Sequence, residues 1–84
     1  MNVTRQQVEG LVLETLASFG PERSALVPPA TLDEVDVDSL DVVELAQVLE
    51  DELGIEVNPE RYEGSITVGD LVERSLEIAL SQQD

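Results

Sequence analysis

Apolar residues recur at helical spacing in three stretches of this chain. In the first, the i, i+3, i+4, i+7 spacing predicts a helix over roughly residues 5–18, which the Gly20-Pro21 pair ends. Thr4 and Gln7 stand at the positions of a capping box, so Thr4 is the expected N-cap. The inward face of this helix comprises Val8, Leu11, Val12, Thr15, Leu16 and Phe19.

The second stretch predicts a helix over roughly residues 39–53, ended by Gly54. Either Asp38 or Ser39 can act as its N-cap, because both side chains accept hydrogen bonds from free helix amides. The opposite side of this helix is polar apart from Leu40, an apolar residue directly after a serine at the helix start. The buried stripe comprises Val42, Leu45, Ala46, Leu49 and Leu53.

The third stretch predicts a helix that begins after Thr67, with Asp70 as its capping-box partner. Ahead of it, Asn58-Pro59 predicts a single helical turn over residues 60–62. No two-residue alternation persists long enough to predict a strand. The sequence therefore predicts an all-α fold, a small four-helix bundle of three main helices and one short helix. The buried stripe of the last helix comprises Val68, Leu71, Val72, Ser75, Leu76, Ala79 and Leu80.

A long connection, residues 20–37, separates the first two predicted helices. A structureless loop of this length is unusual in a compact domain and is often functional. Because aliphatic residues are spaced along it, we expect an ordered loop that packs over the helices. These aliphatic residues are Leu26, Val27, Leu32, Val35 and Val37.

Length and composition limit the possibilities further. Eighty-four residues predict a single domain, residues 1–84, with a modest core, since a chain of this size buries only about 60% of its unfolded surface. The absence of Cys excludes disulfides and thiolate chemistry. No apolar run approaches the roughly 18 residues of a membrane span, and the N-terminus lacks the layout of a signal peptide. We therefore expect a cytoplasmic protein.

The charge is strongly acidic. The formal net charge is −15, with four Arg, no Lys and no His, and most of the 19 acidic residues lie within residues 31–64. Nucleic-acid binding is excluded because phosphates would be repelled, and an anionic membrane surface is disfavoured for the same reason. We interpret the acidic middle third as a docking surface for basic proteins. The alternative is a surface that only keeps the chain in solution.

The same composition argues against an enzyme. Without His, Cys or Lys the chain has no usual base at neutral pH, no thiol nucleophile and no Schiff-base amine. Asp36 and Asp38 have the spacing of a calcium loop, but Leu40 occupies the next ligand position and the required glycine is missing. No glycine-rich phosphate loop is present. We therefore expect neither catalysis nor a bound metal.

The motif at the start of the second predicted helix resembles that of a known family. The run Asp38-Ser39-Leu40, followed by Glu44-Leu45 and by Glu-Asp-Glu-Leu-Gly at residues 50–54, resembles the signature of acyl carrier proteins of fatty-acid and polyketide synthesis. The resemblance covers nearly the whole chain, up to the entrance of the last helix at residues 66–71. It implies that a magnesium-dependent phosphopantetheinyl transferase attaches 4′-phosphopantetheine from coenzyme A to Ser39. The acyl chain would be a thioester on the terminal sulfur of that arm.

The residues of this chain suit such an arm. The chain lacks a reactive thiol, which a prosthetic arm would supply. A serine at a helix N-terminus is well placed, because the free N–H groups there suit a phosphodiester anion. The carboxylate of Asp38 opposes the phosphate, so we assign it to metal or partner contacts. The competing interpretation of Ser39 is a plain N-cap that contributes about 1 kcal/mol.

The resemblance also implies a partner surface along the second helix. Enzymes of the acyltransferase or ketosynthase type would dock there through basic patches, with the chain itself a monomer. The residues expected on this surface, which we call the partner face, are Asp38, Leu40, Asp41, Val43, Glu44, Gln47, Glu50 and Asp51.

Two departures from the family pattern leave the cargo open. Loops of this family commonly have an aromatic residue followed by Leu-Gly, where this chain has Leu32, Val35 and Asp36. An Asp in place of that Gly indicates a turn that is either not left-handed or strained. Gln47 stands where relatives often have an apolar residue. We favour a specialised polyketide-type pathway over bulk fatty-acid synthesis. The alternatives are a peptidyl carrier of a nonribosomal pathway and an unmodified acidic adaptor.

Overall fold

The computed structural model describes residues 3–82, which form three α-helices and two short 3₁₀ turns. Within this range there is no strand, and Thr31 pairs with Thr67 only as an isolated antiparallel bridge. The predicted all-α fold is therefore confirmed. The helices are α1 (Arg5–Ser18), α2 (Ser39–Leu53) and α3 (Val68–Leu80), and the 3₁₀ turns span Arg23–Ala25 and Pro59–Tyr62.

Each α-helix begins at a reciprocal capping box, which is why the helix starts agree with the sequence. Thr4 caps α1 and Thr67 caps α3, in both cases with the third helical residue as partner. At α2 the cap is Asp38, not Ser39. Asp38 Oδ1 accepts a hydrogen bond from the Asp41 N–H at 3.0 Å, and Asp41 Oδ2 accepts one from the Asp38 N–H at 3.1 Å.

The core is formed by the inward faces of the three helices, by residues of the long connection and by Tyr62, which is 3% exposed. Two residues of α3 were assigned wrongly from the sequence. Ile78 is buried although we did not place it in the stripe, and Leu80 is 47% exposed although we did. Ile78 follows Leu71 by seven residues and so shares its face, whereas Leu80 follows it by nine and lies on the opposite side. None of the helices within residues 3–82 has the length and apolar character that a bilayer crossing requires.

The long connection is ordered and joined to the start of α3. The Val68 N–H donates to the Ala30 carbonyl at 2.9 Å, and the Gly69 N–H donates to the Pro28 carbonyl at 3.0 Å. Leu26, Val35 and Val37 are buried, as expected, and Leu32 is half-buried, but Val27 is 46% exposed. The connection also contains the 3₁₀ turn Arg23–Ala25, which the sequence pattern did not predict.

The turn before α2 contains a strained residue. Asp36 has φ 57° and is the one residue other than glycine with a positive φ among those that the structure describes. The turn closes through a 2.9 Å hydrogen bond from the Val37 N–H to the Leu32 carbonyl. Of the two possibilities left by the sequence, the turn is therefore left-handed and the aspartate bears the strain.

Candidate functional site

Ser39 is the first helical residue of α2 and is exposed. Because Asp38 performs the capping, the serine hydroxyl is not needed for it. Within residues 3–82, that hydroxyl makes no hydrogen bond. The interpretation of Ser39 as a plain N-cap is therefore wrong, and its oxygen is available for chemistry.

The backbone around Ser39 is suited to an anion. The capping box satisfies the N–H groups of Asp38 and Asp41, and the Val42 N–H donates to the Asp38 carbonyl at 3.1 Å. The N–H groups of Ser39 and Leu40 thus remain without an acceptor in the described part of the chain. They lie at the positive end of the helix dipole. Two adjacent carboxylates oppose an anion, so a phosphate group here would be held by a covalent bond rather than by charge.

A groove of about 530 Å³ opens beside Ser39. Residues of α2, of the connection and of the Pro59–Tyr62 turn form its walls. The apolar part of the lining comprises Leu32, Val37, Val42, Val43, Pro59 and Tyr62, and the polar part comprises Asp33, Asp38, Ser39, Glu60, Glu63 and Ser65. A second cavity of about 300 Å³ lies between α1, α3 and the connection and has no contribution from Ser39.

The wall of the groove opposite α2 is anchored to α3. The Tyr62 hydroxyl lies 2.7 Å from the Ser75 hydroxyl, and burial raises the pKa of Tyr62 above its ordinary value. Arg74 Nη1 donates to the carbonyl oxygens of Arg61 and Glu63. These contacts tie the Pro59–Tyr62 turn and Glu63 to α3. The sequence contains no signal for a function of this wall beyond the turn that Asn58-Pro59 predicts.

The partner face divides into free and engaged side chains. Leu40 is 75% exposed and Val43 is 47% exposed, which fits the apolar contacts expected of them. Glu44, Gln47 and Asp51 are exposed, and within residues 3–82 their side chains make no hydrogen bond or ion pair. The other three acids have structural roles. Asp38 and Asp41 form the capping box, and Glu50 Oε2 accepts a hydrogen bond from the Val57 N–H at 3.1 Å. None of these acids belongs to a metal-binding group in the part of the chain that the structure describes.

The chain matches a family model described as the phosphopantetheine attachment site, over residues 6–75. It belongs to the acyl carrier protein family. An acyl carrier protein of Clostridium perfringens (strain 13 / Type A) is 52% identical over 42 residues, which are 50% of this chain and 55% of that protein. The meromycolate extension acyl carrier protein of Mycobacterium leprae (strain TN) is 35% identical over 74 residues, which are 86% of this chain and 64% of that protein. The chain thus spans 55% and 64% of the length of these two curated relatives, less than two thirds of either.

In the acyl carrier protein family, 4′-phosphopantetheine on a serine is the prosthetic group, and the members are carriers rather than catalysts. The residues of this structure fit such a group. Ser39 offers an exposed hydroxyl without a partner, and two free N–H groups adjoin it. The bound arm would supply the thiol that this sequence lacks.

Proposed function

We propose that this chain carries acyl groups as thioesters on a 4′-phosphopantetheine arm attached to Ser39 and delivers them to partner enzymes. The observation that supports this most directly is the exposed Ser39 hydroxyl, which is free because Asp38 caps the helix. In the attachment step, the Ser39 oxygen attacks the β-phosphorus of coenzyme A and forms a P–O bond. The pyrophosphate P–O bond breaks, 3′,5′-ADP leaves, and the hydroxyl proton passes to a base of the transferase.

We also propose a location, an oligomeric state, a pathway and partner enzymes for this chain. We place it in the cytoplasm as a monomer, in a specialised polyketide-type pathway rather than bulk fatty-acid synthesis. Asp36 and Gln47 depart from the common family pattern in the loop and on the partner face, and these departures leave the acyl cargo open. A phosphopantetheinyl transferase and enzymes of the acyltransferase or ketosynthase type would be the partners. The unpaired carboxylates of Glu44 and Asp51 support docking to basic patches.

Intact-mass measurement tests the attachment. Incubated with coenzyme A, magnesium and a broad-specificity transferase, the wild-type chain should gain the mass of one phosphopantetheinyl group. Ser39→Ala should gain nothing while keeping its helix content, because Asp38 still caps α2. Ser24→Ala, at an exposed serine of the Arg23–Ala25 turn, is the matched control and should gain the full mass. Modification of Ser39→Ala, or no modification of the wild type, would contradict the proposal and leave the acidic adaptor.

A further inference from the structure

One side chain in the groove beside Ser39 has no role in the fold described so far. Ser65 lines the groove together with Ser39. Its Oγ is shielded from solvent, and it is the one buried side-chain oxygen or nitrogen without a hydrogen-bond partner in the part of the chain that the structure describes. Such a group costs stability in a folded protein, so its presence calls for a functional explanation.

Neighbouring hydroxyl groups do not satisfy Ser65. The Ser75 hydroxyl donates its proton to the Leu71 carbonyl at 2.7 Å, so Tyr62 must be the donor in its 2.7 Å contact with Ser75. The Ser65 N–H donates to the Tyr62 carbonyl at 3.1 Å, which fixes the backbone of Ser65 next to this chain of hydrogen bonds. The Ser65 hydroxyl itself takes no part in these hydrogen bonds. A guest in the groove can supply the partner that the protein does not.

The lining of the groove restricts the chemistry of that guest. The walls are aliphatic along α2 and the connection, which suits a hydrocarbon chain. Four carboxylates, those of Asp33, Asp38, Glu60 and Glu63, also belong to the lining and disfavour an anionic group. A serine hydroxyl both donates and accepts, so it pairs with a neutral keto or hydroxyl oxygen.

We propose that Ser65 is a specificity-determining residue that hydrogen-bonds a neutral oxygen on the acyl chain, so that the groove favours keto- or hydroxy-substituted cargo over a plain alkyl chain. The inference rests on the proposed function, because the cargo reaches the groove from the arm on Ser39. Rotation about the Ser65 Cα–Cβ bond is the smallest movement that turns the hydroxyl toward a guest.

The test compares melting temperatures of chains loaded with different cargo. Wild type, Ser65→Ala and the control Ser24→Ala are loaded from acyl-coenzyme A by a broad-specificity transferase, and loading is verified by intact mass. The cargoes are a saturated chain, the 3-oxo and 5-oxo chains of the same length, and the bare arm. In wild type and Ser24→Ala, at least one oxo chain should raise the melting temperature above that of the saturated chain by about 5 °C, the effect of one hydrogen bond in a domain of this size.

In Ser65→Ala this difference should vanish, while the unmodified variant melts no lower than unmodified wild type, because it has lost an unpaired hydroxyl. Three results would overturn the inference: equal melting of oxo and saturated forms in wild type, a difference that persists in Ser65→Ala, or a Ser65-dependent rise already given by the bare arm. A wild-type chain that accepts no arm overturns the proposed function itself, and the mass measurement detects that separately.

Discussion

At the residue scale, the Ser39 hydroxyl is free of hydrogen bonds within residues 3–82 because the side chain before it caps the helix. Serine at a helix start usually caps the helix, and its hydroxyl is then engaged. Here Asp38 and Asp41 close the capping box, and the Ser39 hydroxyl points to no partner within residues 3–82. The sequence Asp-Ser therefore combines a capped helix start with an exposed serine hydroxyl that the cap does not use.

Asp36 gives a prediction at the same scale. An L-residue in the left-handed region is strained, although aspartate tolerates it better than most, and glycine is not strained there. Asp36→Gly should therefore raise the free energy of unfolding by about 0.5–1 kcal/mol. This net gain is smaller than the strain that is relieved, because glycine also increases the conformational entropy of the unfolded chain. Urea denaturation measures this difference.

Asp36→Asn is the control for charge, since it removes the carboxylate but keeps a residue that tolerates positive φ. Asp36→Asn should raise the free energy of unfolding less than Asp36→Gly does. If the two variants are equally stabilised, the gain comes from reduced repulsion in a chain of net charge −15 and not from relief of backbone strain.

At the element scale, the start of α2 forms both the helix cap and the proposed attachment site. Asp38→Ala removes the N-cap side chain and should lower the free energy of unfolding by about 1 kcal/mol. Ser39→Ala, one residue later, should leave it almost unchanged, because that hydroxyl bonds to nothing within residues 3–82. Thermal or urea unfolding of the two variants side by side measures the contrast. A larger loss from Ser39→Ala than from Asp38→Ala would reverse the assignment of the cap.

The Pro59–Tyr62 turn shows how elements distant in sequence build one site. Tyr62 and the carbonyl oxygens of Arg61 and Glu63 are held by Ser75 and Arg74 of α3. Helix α3 therefore positions a wall of the groove that begins at Ser39, although it contributes no residue to the groove lining.

At the scale of the whole molecule, acidity is concentrated on a face that stays free of internal ion pairs. Within residues 3–82 the one salt bridge joins Arg5 and Glu73, away from α2. Glu44 and Asp51 are exposed and unpaired, so their charges are available to a partner at no cost to the fold.

Glu44→Lys with Asp51→Lys should therefore weaken binding of the loaded chain to a ketosynthase with a basic patch about tenfold at low salt. The difference should shrink in 1 M salt, where the Debye length is about 3 Å. Isothermal titration calorimetry at both salt concentrations measures it. Glu14→Lys with Glu22→Lys is the matched control, because it makes the same change in net charge at exposed positions outside α2. Equal weakening by both pairs would remove the case for a specific partner face.

The sequence by itself determined the three helices, the caps of the first and last helices and the candidate serine. Capping boxes and apolar periodicity are local patterns, and they are readable because they act over a few residues. The buried stripe of α3 was wrong at two residues for a local reason. Ile78 follows Leu71 by seven residues and shares its buried face, whereas Leu80 follows it by nine and lies opposite. Local sequence also could not decide between Asp38 and Ser39 as the cap.

Only the tertiary structure brought the groove together. Leu32, Val42, Tyr62 and Ser65 belong to separate segments, and no spacing in the sequence places them around Ser39. The unpaired hydroxyl of Ser65 is likewise invisible in the sequence, because whether a polar group is satisfied depends on every atom that folding brings near it.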